Sequence, residues 1–294
     1  MLVFSGSSNK SLAKKLARKI NCRLGKIELS RFTNDEARVW VKEKKAGRKA
    51  VVVQSLSQPT DHHLIEFCLI CDALRRKGVK EIIGVIPWLG YSKQDKVFRE
   101  GEPLSVKVIA KMLQVVSLEK IITFDLHNLA ILGFFDIPLI NLSANQLFIE
   151  YFKNKIDENT VVVAPDAGSV KSSSNFAQEL GIDVAYINKK RDLTSGKVII
   201  KGINGKVKGK DVLIVDDMLV TGSTLIETAK FLKKEKVQSI KVVVTHHLYV
   251  NKTQEKIDKS KIDELIVTDT VKQKDKSKKL KILSIVGMLG EAIK

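Results

Sequence analysis

Short runs of consecutive apolar residues alternate along this chain with stretches whose apolar positions recur every three to four residues. The runs Leu2–Phe4, Ala50–Val53, Ile82–Ile86, Ile121–Phe124, Val161–Ala164, Val184–Ile187, Val212–Val215, Val242–Thr245, Leu265–Thr268 and Ile282–Ile285 predict buried strands. Between them, Leu12, Leu16 and Ile20 share a helical face, as do Leu64, Phe67, Cys68, Cys71 and Leu74. The same spacing recurs in Val106, Ile109, Ala110 and Leu113, in Ala144–Phe152, in Phe176, Ala177 and Leu180, and in Leu225, Thr228, Ala229 and Leu232. Ile27–Leu29 and Val39–Val41 predict a two-strand excursion around the polar loop Arg31–Glu36. A short helix ends the chain. Strands alternating with helices predict an α/β protein with mainly parallel sheets.

The pattern repeats itself. Val51-Val52-Val53, a loop, and Leu64-Ile65-Glu66 match Leu213-Ile214-Val215, a loop, and Leu225-Ile226-Glu227. Each half opens with a strand–turn–helix and a two-strand excursion, as expected of a duplicated α/β unit. We expect a first domain over 1–142, a second over 143–285 and a terminal helix over 286–294. Gln54 and Ser55 stand where Asp216 and Asp217 stand, so the first half has kept the fold and lost the acids. It must do something else, such as hold a second substrate or an oligomer contact.

Those acids belong to the most informative stretch, Val212–Leu225. An apolar strand is followed by Asp216-Asp217, then by the loop Val220-Thr221-Gly222-Ser223-Thr224, then by a helix. A loop opening a helix presents free N–H groups and the positive end of a helix dipole, a combination that binds phosphate. Carboxylates would repel phosphate but accept hydrogen bonds from a vicinal diol. A loop holding both describes a ribose 5-phosphate site. Strand and helix caps use the same residue types, but two adjacent acids at a strand end are costly without a partner. No Gly-Lys-Ser/Thr is present, so this is not a Walker A loop.

Composition narrows the class. The chain has 294 residues, 44% of them hydrophobic, enough for two domains with real cores. No apolar run reaches membrane-spanning length and the N-terminus lacks a charged leader, so a soluble, cytoplasmic protein is expected. Cys68 and Cys71 have no second pair to complete a zinc site and read as core thiols. The net charge of +18 fits anionic substrates and nucleic acid alike. Aromatics are sparse and not interleaved with the basic residues, which argues against nucleic acid.

Further candidates lie at strand ends and in loops. His127 follows Asp125 at one strand end, and Asp166 follows Pro165 at another. Ligands bind at such ends in parallel sheets, and these two side chains suit Mg²⁺ held together with phosphate oxygens. Without that context a lone strand-end histidine is a capped structural residue. Lys189, Lys190 and Arg191 are consecutive cations before a hairpin; alone they read as a solvated turn, but beside a phosphoryl-transfer site they would stabilise the transferred group. The loop Trp88–Pro103 is long, charged and aromatic, which marks functional loops. Phe32 suits stacking on a base or simple packing.

Together these pieces resemble the ribose-phosphate diphosphokinases. The resemblance rests on Arg31-Phe32…Asp35-Glu36, Ile86–Asp95, Phe98–Pro103, Asp125-Leu126-His127, Gly133–Pro138, Pro165-Asp166…Gly168 and the Asp216-Asp217 stretch, in the family's order and along the whole chain. The short length is similar to the archaeal type. The resemblance implies two tandem type I phosphoribosyltransferase-like domains. It implies ATP at Phe32, Asn34, Asp35, Glu36, Lys93, Gln94 and Asp95, partly across a subunit interface of a homo-oligomer built from dimers. It implies Mg²⁺ at His127 and Asp166, and catalysis by Lys189 and Arg191. Ribose 5-phosphate would be held by Arg191, Asp216, Asp217, Val220, Thr221, Gly222, Ser223 and Thr224, and the final helix would pack back on the first domain. The implied reaction moves the β,γ-diphosphoryl group of MgATP to the 1-hydroxyl of ribose 5-phosphate.

Departures from the family pattern bear on affinity. The ATP loop usually reads Asp-Gly-Glu and is Asn34-Asp35-Glu36 here; Lys93 stands for an arginine, and Val220 for an aspartate in many members. Two rival readings remain in view. A phosphoribosyltransferase would consume the diphosphate to build a nucleotide; the tandem halves and the Phe32 loop argue against it, and release of AMP from ATP without any nucleobase would separate the two. A non-enzymatic regulator would not need Lys189, Arg191, His127 and Asp166.

Overall fold

The computed structural model describes residues 1–191, 198–274 and 276–294, with the side chains at 190, 191, 198 and 199 excluded. The chain divides into two compact units: Met1–Ser143 with Asp269–Lys272 and Ser284–Lys294, and Ala144–Thr268 with Gln273–Leu283. No helix among the described residues is long and apolar enough to cross a membrane.

The first unit is built on a five-stranded parallel sheet in the order β1-β4-β5-β6-β7, from β1 (Leu2–Ser5), β4 (Lys49–Val53), β5 (Glu81–Val85), β6 (Lys120–Phe124) and β7 (Leu139–Leu142). The excursion β2 (Ile27–Arg31) and β3 (Ala37–Val41) forms a separate antiparallel pair. Helices α1 (Lys10–Lys19), α2 (Thr60–Arg76) and α3 (Ser105–Val115) connect the strands. The apolar stripe predicted for α2 is the buried one: Leu64, Phe67, Cys71 and Leu74 pack against Val52, Ile82 and Ile121. Burial holds the Cys68 thiol up at about 11 and pushes Cys71 well above the ordinary thiol value, as inert core thiols should be.

The second unit has a seven-stranded sheet in the order β10-β9-β8-β11-β12-β13-β14. Its strands are β8 (Thr160–Ala164), β9 (Asp183–Arg191), β10 (Val198–Asn204), β11 (Asp211–Leu219), β12 (Ser239–His247), β13 (Glu264–Thr268) and β14 (Leu280–Leu283). All neighbours are parallel except the β9–β10 hairpin. Helices α4 (Asn145–Phe152), α5 (Val170–Leu180), α6 (Ser223–Lys234) and α7 (Thr253–Asp258) belong to this unit. Helix α8 (Val286–Ile293) lies with the first unit against α1, and Lys120 Nζ donates to the Ala292 carbonyl at 3.1 Å. Asp269 anchors the approach to α8: it accepts from Ile285 N–H at 2.9 Å and from Lys15 Nζ at 3.0 Å.

The internal repeat is visible in the strand order. β1-β4-β5-β6-β7 in one unit answers to β8-β11-β12-β13-β14 in the other. Only the excursion differs: it is detached as β2–β3 and joined to the sheet as β9–β10. Some predicted boundaries move. The last strand is Leu280–Leu283 instead of Ile282–Ile285, because Ser284 and Ile285 turn to bind Asp269. Two elements did not stand out in the sequence: β7, a four-residue run interrupted by Asn141, and α7, six residues with Ile257 as its apolar position.

Candidate functional site

In the second unit, β8 pairs with β11 only as far as Val163↔Ile214, whereas β12 continues alongside β11 to Leu219↔His247. Asp216 and Asp217 therefore lie within β11, not beyond its end as the sequence suggested, on a stretch with one neighbouring strand and one open edge. Both side chains are half-buried. Asp216 Oδ1 accepts the Asp217 N–H at 2.9 Å. Burial, reinforced by Asp217 and Asp166, pushes the Asp216 carboxyl up to about 8. Burial there outweighs the Asp217 N–H bond, which acts in the opposite direction.

After β11 the chain runs through Val220, Thr221 and Gly222 into α6. Gly222 caps the helix at φ +74°, a left-handed conformation that glycine adopts without cost, and a Cβ there would meet Thr253 at 3.3 Å. No side chain caps α6. The hydroxyl-bearing residues Thr221, Ser223 and Thr224 are exposed, and Thr221 Oγ1 lies 3.3 Å from Ser223 Oγ. The capping explanation for this sequence thus has no support here, and a helix start without a side-chain cap leaves first-turn N–H groups to other acceptors. That is the arrangement an anion needs.

Two more predicted residues join this group. Asp166, at the end of β8, closes a capping box with Ser169, its Oδ1 accepting the Ser169 N–H at 3.1 Å. Lys189 sits on β9, half-buried, and its Nζ makes no hydrogen bond among the described residues. Burial lowers the Lys189 pKa, while Asp166 and Asp216 act in the opposite direction. A desolvated ammonium next to two acids is poised for a phosphoryl oxygen. The side chain of Arg191 lies outside the described residues, and its backbone ends β9.

The remaining predicted residues lie in the first unit. The β2–β3 turn is tight: Phe32 N–H donates to Glu36 at 2.9 Å, and Asp35 N–H to Phe32 at 3.0 Å. Asp35, at the family's glycine position, adopts φ +67°, and Asn34 Oδ1 accepts the Glu36 N–H at 3.3 Å. Phe32 is 52% exposed, with Arg38 lying 5.7 Å from its ring, so it is not a core residue. In the long loop, Trp88, Leu89 and Ser92 are buried, whereas Lys93 and Gln94 are exposed. Gln94 accepts from Ser105 Oγ at 2.6 Å, which ties the loop to α3. Asn128 donates to Asp95 at 2.6 Å and so joins this loop to the segment carrying the exposed His127.

The motif reading missed Asn128, and it missed Asp61 and His62 at the start of α2. Asp61 accepts from the Tyr91 hydroxyl, and His62 lies 3.5 Å from Asp35. Polar residues after Pro59 read only as a helix start. Among the described residues, no three His, Cys, Asp or Glu side chains converge to hold a metal by themselves.

Known proteins match this architecture along its length. The family model for the N-terminal domain of ribose phosphate pyrophosphokinase matches residues 1–116, and the phosphoribosyl transferase domain model matches 134–277. Ribose-phosphate pyrophosphokinase of Wolinella succinogenes is 34% identical over 292 residues, covering 99% of this chain and 94% of the relative. That of Thermotoga maritima is 34% identical over 296 residues, covering 100% and 94%. The crystal structure of phosphoribosylpyrophosphate synthetase from Mycobacterium smegmatis superimposes with a TM-score of 0.91 at 30% identity, covering 99% of this chain and 97% of that one. With full-length relatives above 30% identity and both domain models in sequence, the chain belongs to the ribose-phosphate pyrophosphokinase family.

Proposed function

We propose that this chain transfers the β,γ-diphosphoryl group of ATP to the 1-hydroxyl of ribose 5-phosphate, giving 5-phosphoribosyl 1-diphosphate and AMP for nucleotide synthesis. The observation that carries the reading is the grouping of Lys189, Asp166 and Asp216 beside the uncapped loop Val220–Thr224. Asp216 and Asp217 take the ribose hydroxyls as acceptors. Thr221, Gly222, Ser223 and Thr224 take the 5-phosphate through N–H groups and hydroxyls. Lys189, with Arg191 in the same role, offsets the charge on the transferred phosphoryl oxygens while the 1-hydroxyl attacks the β-phosphorus in line. Phe32, Asn34, Asp35, Glu36, Lys93, Gln94 and Asp95 take ATP, with subunits of a homo-oligomer sharing this task.

The donor set fits magnesium. Asp216, whose proton burial retains with help from its acidic neighbours, and Asp166 are hard oxygen donors that suit a hard cation, and magnesium typically uses one or two carboxylates together with substrate phosphates. Asp166 would be its protein partner in the second unit, and His127, in the first, is the other residue the family resemblance implies for magnesium. When bound, the ion supplies neutralisation of charge on the β- and γ-phosphates. The protein works in the cytoplasm, on small anionic substrates, with no nucleic acid or membrane partner.

A ³¹P NMR time course of the protein with MgATP and ribose 5-phosphate, without any nucleobase, tests the reading. New sugar-diphosphate signals with stoichiometric AMP are expected. Intact ATP under conditions where ribose 5-phosphate still binds would overturn it in favour of a regulator.

A further inference from the structure

The ribose-phosphate loop rests on a segment that the reaction chemistry does not use. After β12, the chain passes through three non-glycine residues in left-handed conformation, Tyr249 at φ +52°, Asn251 at +51° and Lys252 at +55°. Such backbone is disfavoured for residues with a Cβ and persists only where its surroundings enforce it. Here they do. The buried His247 ring stacks on Tyr249 at 3.7 Å, its Nδ1 accepts the Tyr249 N–H at 3.0 Å, and its Nε2 faces Gln254 Oε1 at 3.1 Å. Gln254 in turn donates to Asp258 at 2.9 Å. The Leu248 N–H holds the Leu219 carbonyl at 3.0 Å, just before the loop begins.

This folded-back segment delivers one side chain to the loop. Thr253, the first residue of α7, is fully buried. Its Oγ1 lies 2.6 Å from the Val220 carbonyl and 2.5 Å from the Val250 carbonyl, so its proton is shared between the two. Its methyl group occupies the space beneath Gly222, where a Cβ would come within 3.3 Å. Thr253 therefore fixes the loop at both of its turns: the carbonyl at the exit of β11 and the glycine that caps α6.

We propose that Thr253 is a positioning residue for the ribose-phosphate loop, acting through the Val220 carbonyl to aim the N–H groups at 221–224. The proposal rests on the functional reading above. It separates the loop's geometry from the loop's own sequence: a residue more than thirty positions downstream sets the affinity for the sugar phosphate, while the ATP segments of the first unit are untouched.

Steady-state kinetics of the full chain, read as AMP formation, test it. Thr253→Val keeps the shape and removes the donor. It is expected to raise the KM for ribose 5-phosphate about tenfold, as loss of a buried hydrogen bond does, and to leave the KM for ATP within twofold. Thr253→Ser, which keeps the hydroxyl, should stay within twofold of the wild type for both substrates. If the valine variant does not fold, Ser against Ala at the same position repeats the hydroxyl contrast. A Thr253→Val enzyme that is less heat-stable but has a wild-type KM for ribose 5-phosphate overturns the proposal, as do equal rises in both KM values. Should the wild type form no AMP, the functional reading fails, and protection by inorganic phosphate in thermal melts then decides on the loop alone. Protection of wild type and serine variant but not of the valine variant supports positioning, and equal protection refutes it.

Discussion

The two halves place the same strand–loop–helix unit in the same position of the sheet and do opposite things with it. In the first half, Gln54 and Ser55 follow β4 and are fully buried. Gln54 Nε2 donates to Glu66 at 2.7 Å, and its Oε1 accepts the Ser8 N–H at 3.0 Å. Glu66 also accepts the N–H and the hydroxyl of Ser7, each at 2.7 Å, and Ser55 N–H donates to Ser8 Oγ at 2.8 Å. Gly6 is packed so closely that a Cβ would collide with Gln54. In the second half the matching residues are Asp216 and Asp217, half-buried, and the residue matching Glu66 is Glu227, which is exposed and pairs with Lys230 at 2.8 Å. An amide both donates and accepts, so a ring of amide, hydroxyls and one carboxylate can complete itself. Two adjacent acids offer more acceptors than donors, and so suit a diol or a cation from outside. One unit is filled by its own side chains, and the other is the site proposed above.

The largest effect expected from this contrast is on turnover. Lys189 is a half-buried cation of the open half with no hydrogen-bond partner among the described residues. Lys189→Ala should lower kcat by about 10²–10³-fold, the usual cost of removing one charge-stabilising donor, with little change in ribose 5-phosphate affinity. Unchanged turnover would remove Lys189 from the chemistry. Next comes an attempt to convert the filled half. Gln54→Asp places a second carboxylate beside buried Glu66 and removes the donor between them. It should destabilise the chain by about 3 kcal/mol in urea unfolding, since uncompensated buried charge costs that order. A neutral result would mean the Ser7–Gln54–Glu66 network carries no stability.

Much of this was legible in the sequence because buried parallel strands read as apolar runs and α/β helices as stripes. The repeat, the separate excursion and the Asp216-Asp217 loop all came from pattern. Three things did not. Strand β9 extends through Asn188-Lys189-Lys190-Arg191 because β10 pairs with it, and polarity hides such a strand. Strand β11 continues through both acids because β12 supports it on one side only. The segment from His247 to Thr253 has no motif, since its role depends on left-handed backbone and on packing against residues 219–222, contacts that become visible only after folding.

The acids of the open half should also mark the pH dependence of stability. The Asp216 carboxyl is raised from 3.8 to about 8, so the folded chain holds a proton that the unfolded chain releases. Where the folded state binds more protons, stability falls as pH rises. The loss should begin near pH 4 and be complete near pH 8. Asp216→Asn removes this term. The ligand-free variant should match the wild type in melts at pH 4 and exceed it at pH 8 by a readily measured rise in Tm, while losing affinity for ribose 5-phosphate. Equal stability at both pH values would mean that Asp216 titrates normally and that the open half is not electrostatically incomplete.

The smallest effect concerns a left-handed residue in each half. Gly222 takes φ +74° at no steric cost, whereas Asp35 takes φ +67° at the turn where the family resemblance implies glycine. Aspartate tolerates this region better than most residues, because its short side chain bonds locally. Here Arg31 lies 3.4 Å from the Asp35 carboxylate and His62 lies 3.5 Å away, both exposed pairs worth little. Asp35→Gly relieves the conformational cost, loses those pairs and gains entropy in the unfolded chain. The terms nearly cancel, and stability should change by less than about 0.5 kcal/mol. The turn itself is held by the Phe32–Glu36 backbone bonds, which glycine keeps, so the KM for ATP should stay within threefold. A larger change in that KM would assign the Asp35 carboxylate a direct part in nucleotide recognition, and the loop would then depend on side-chain chemistry where the Gly222 loop depends on backbone.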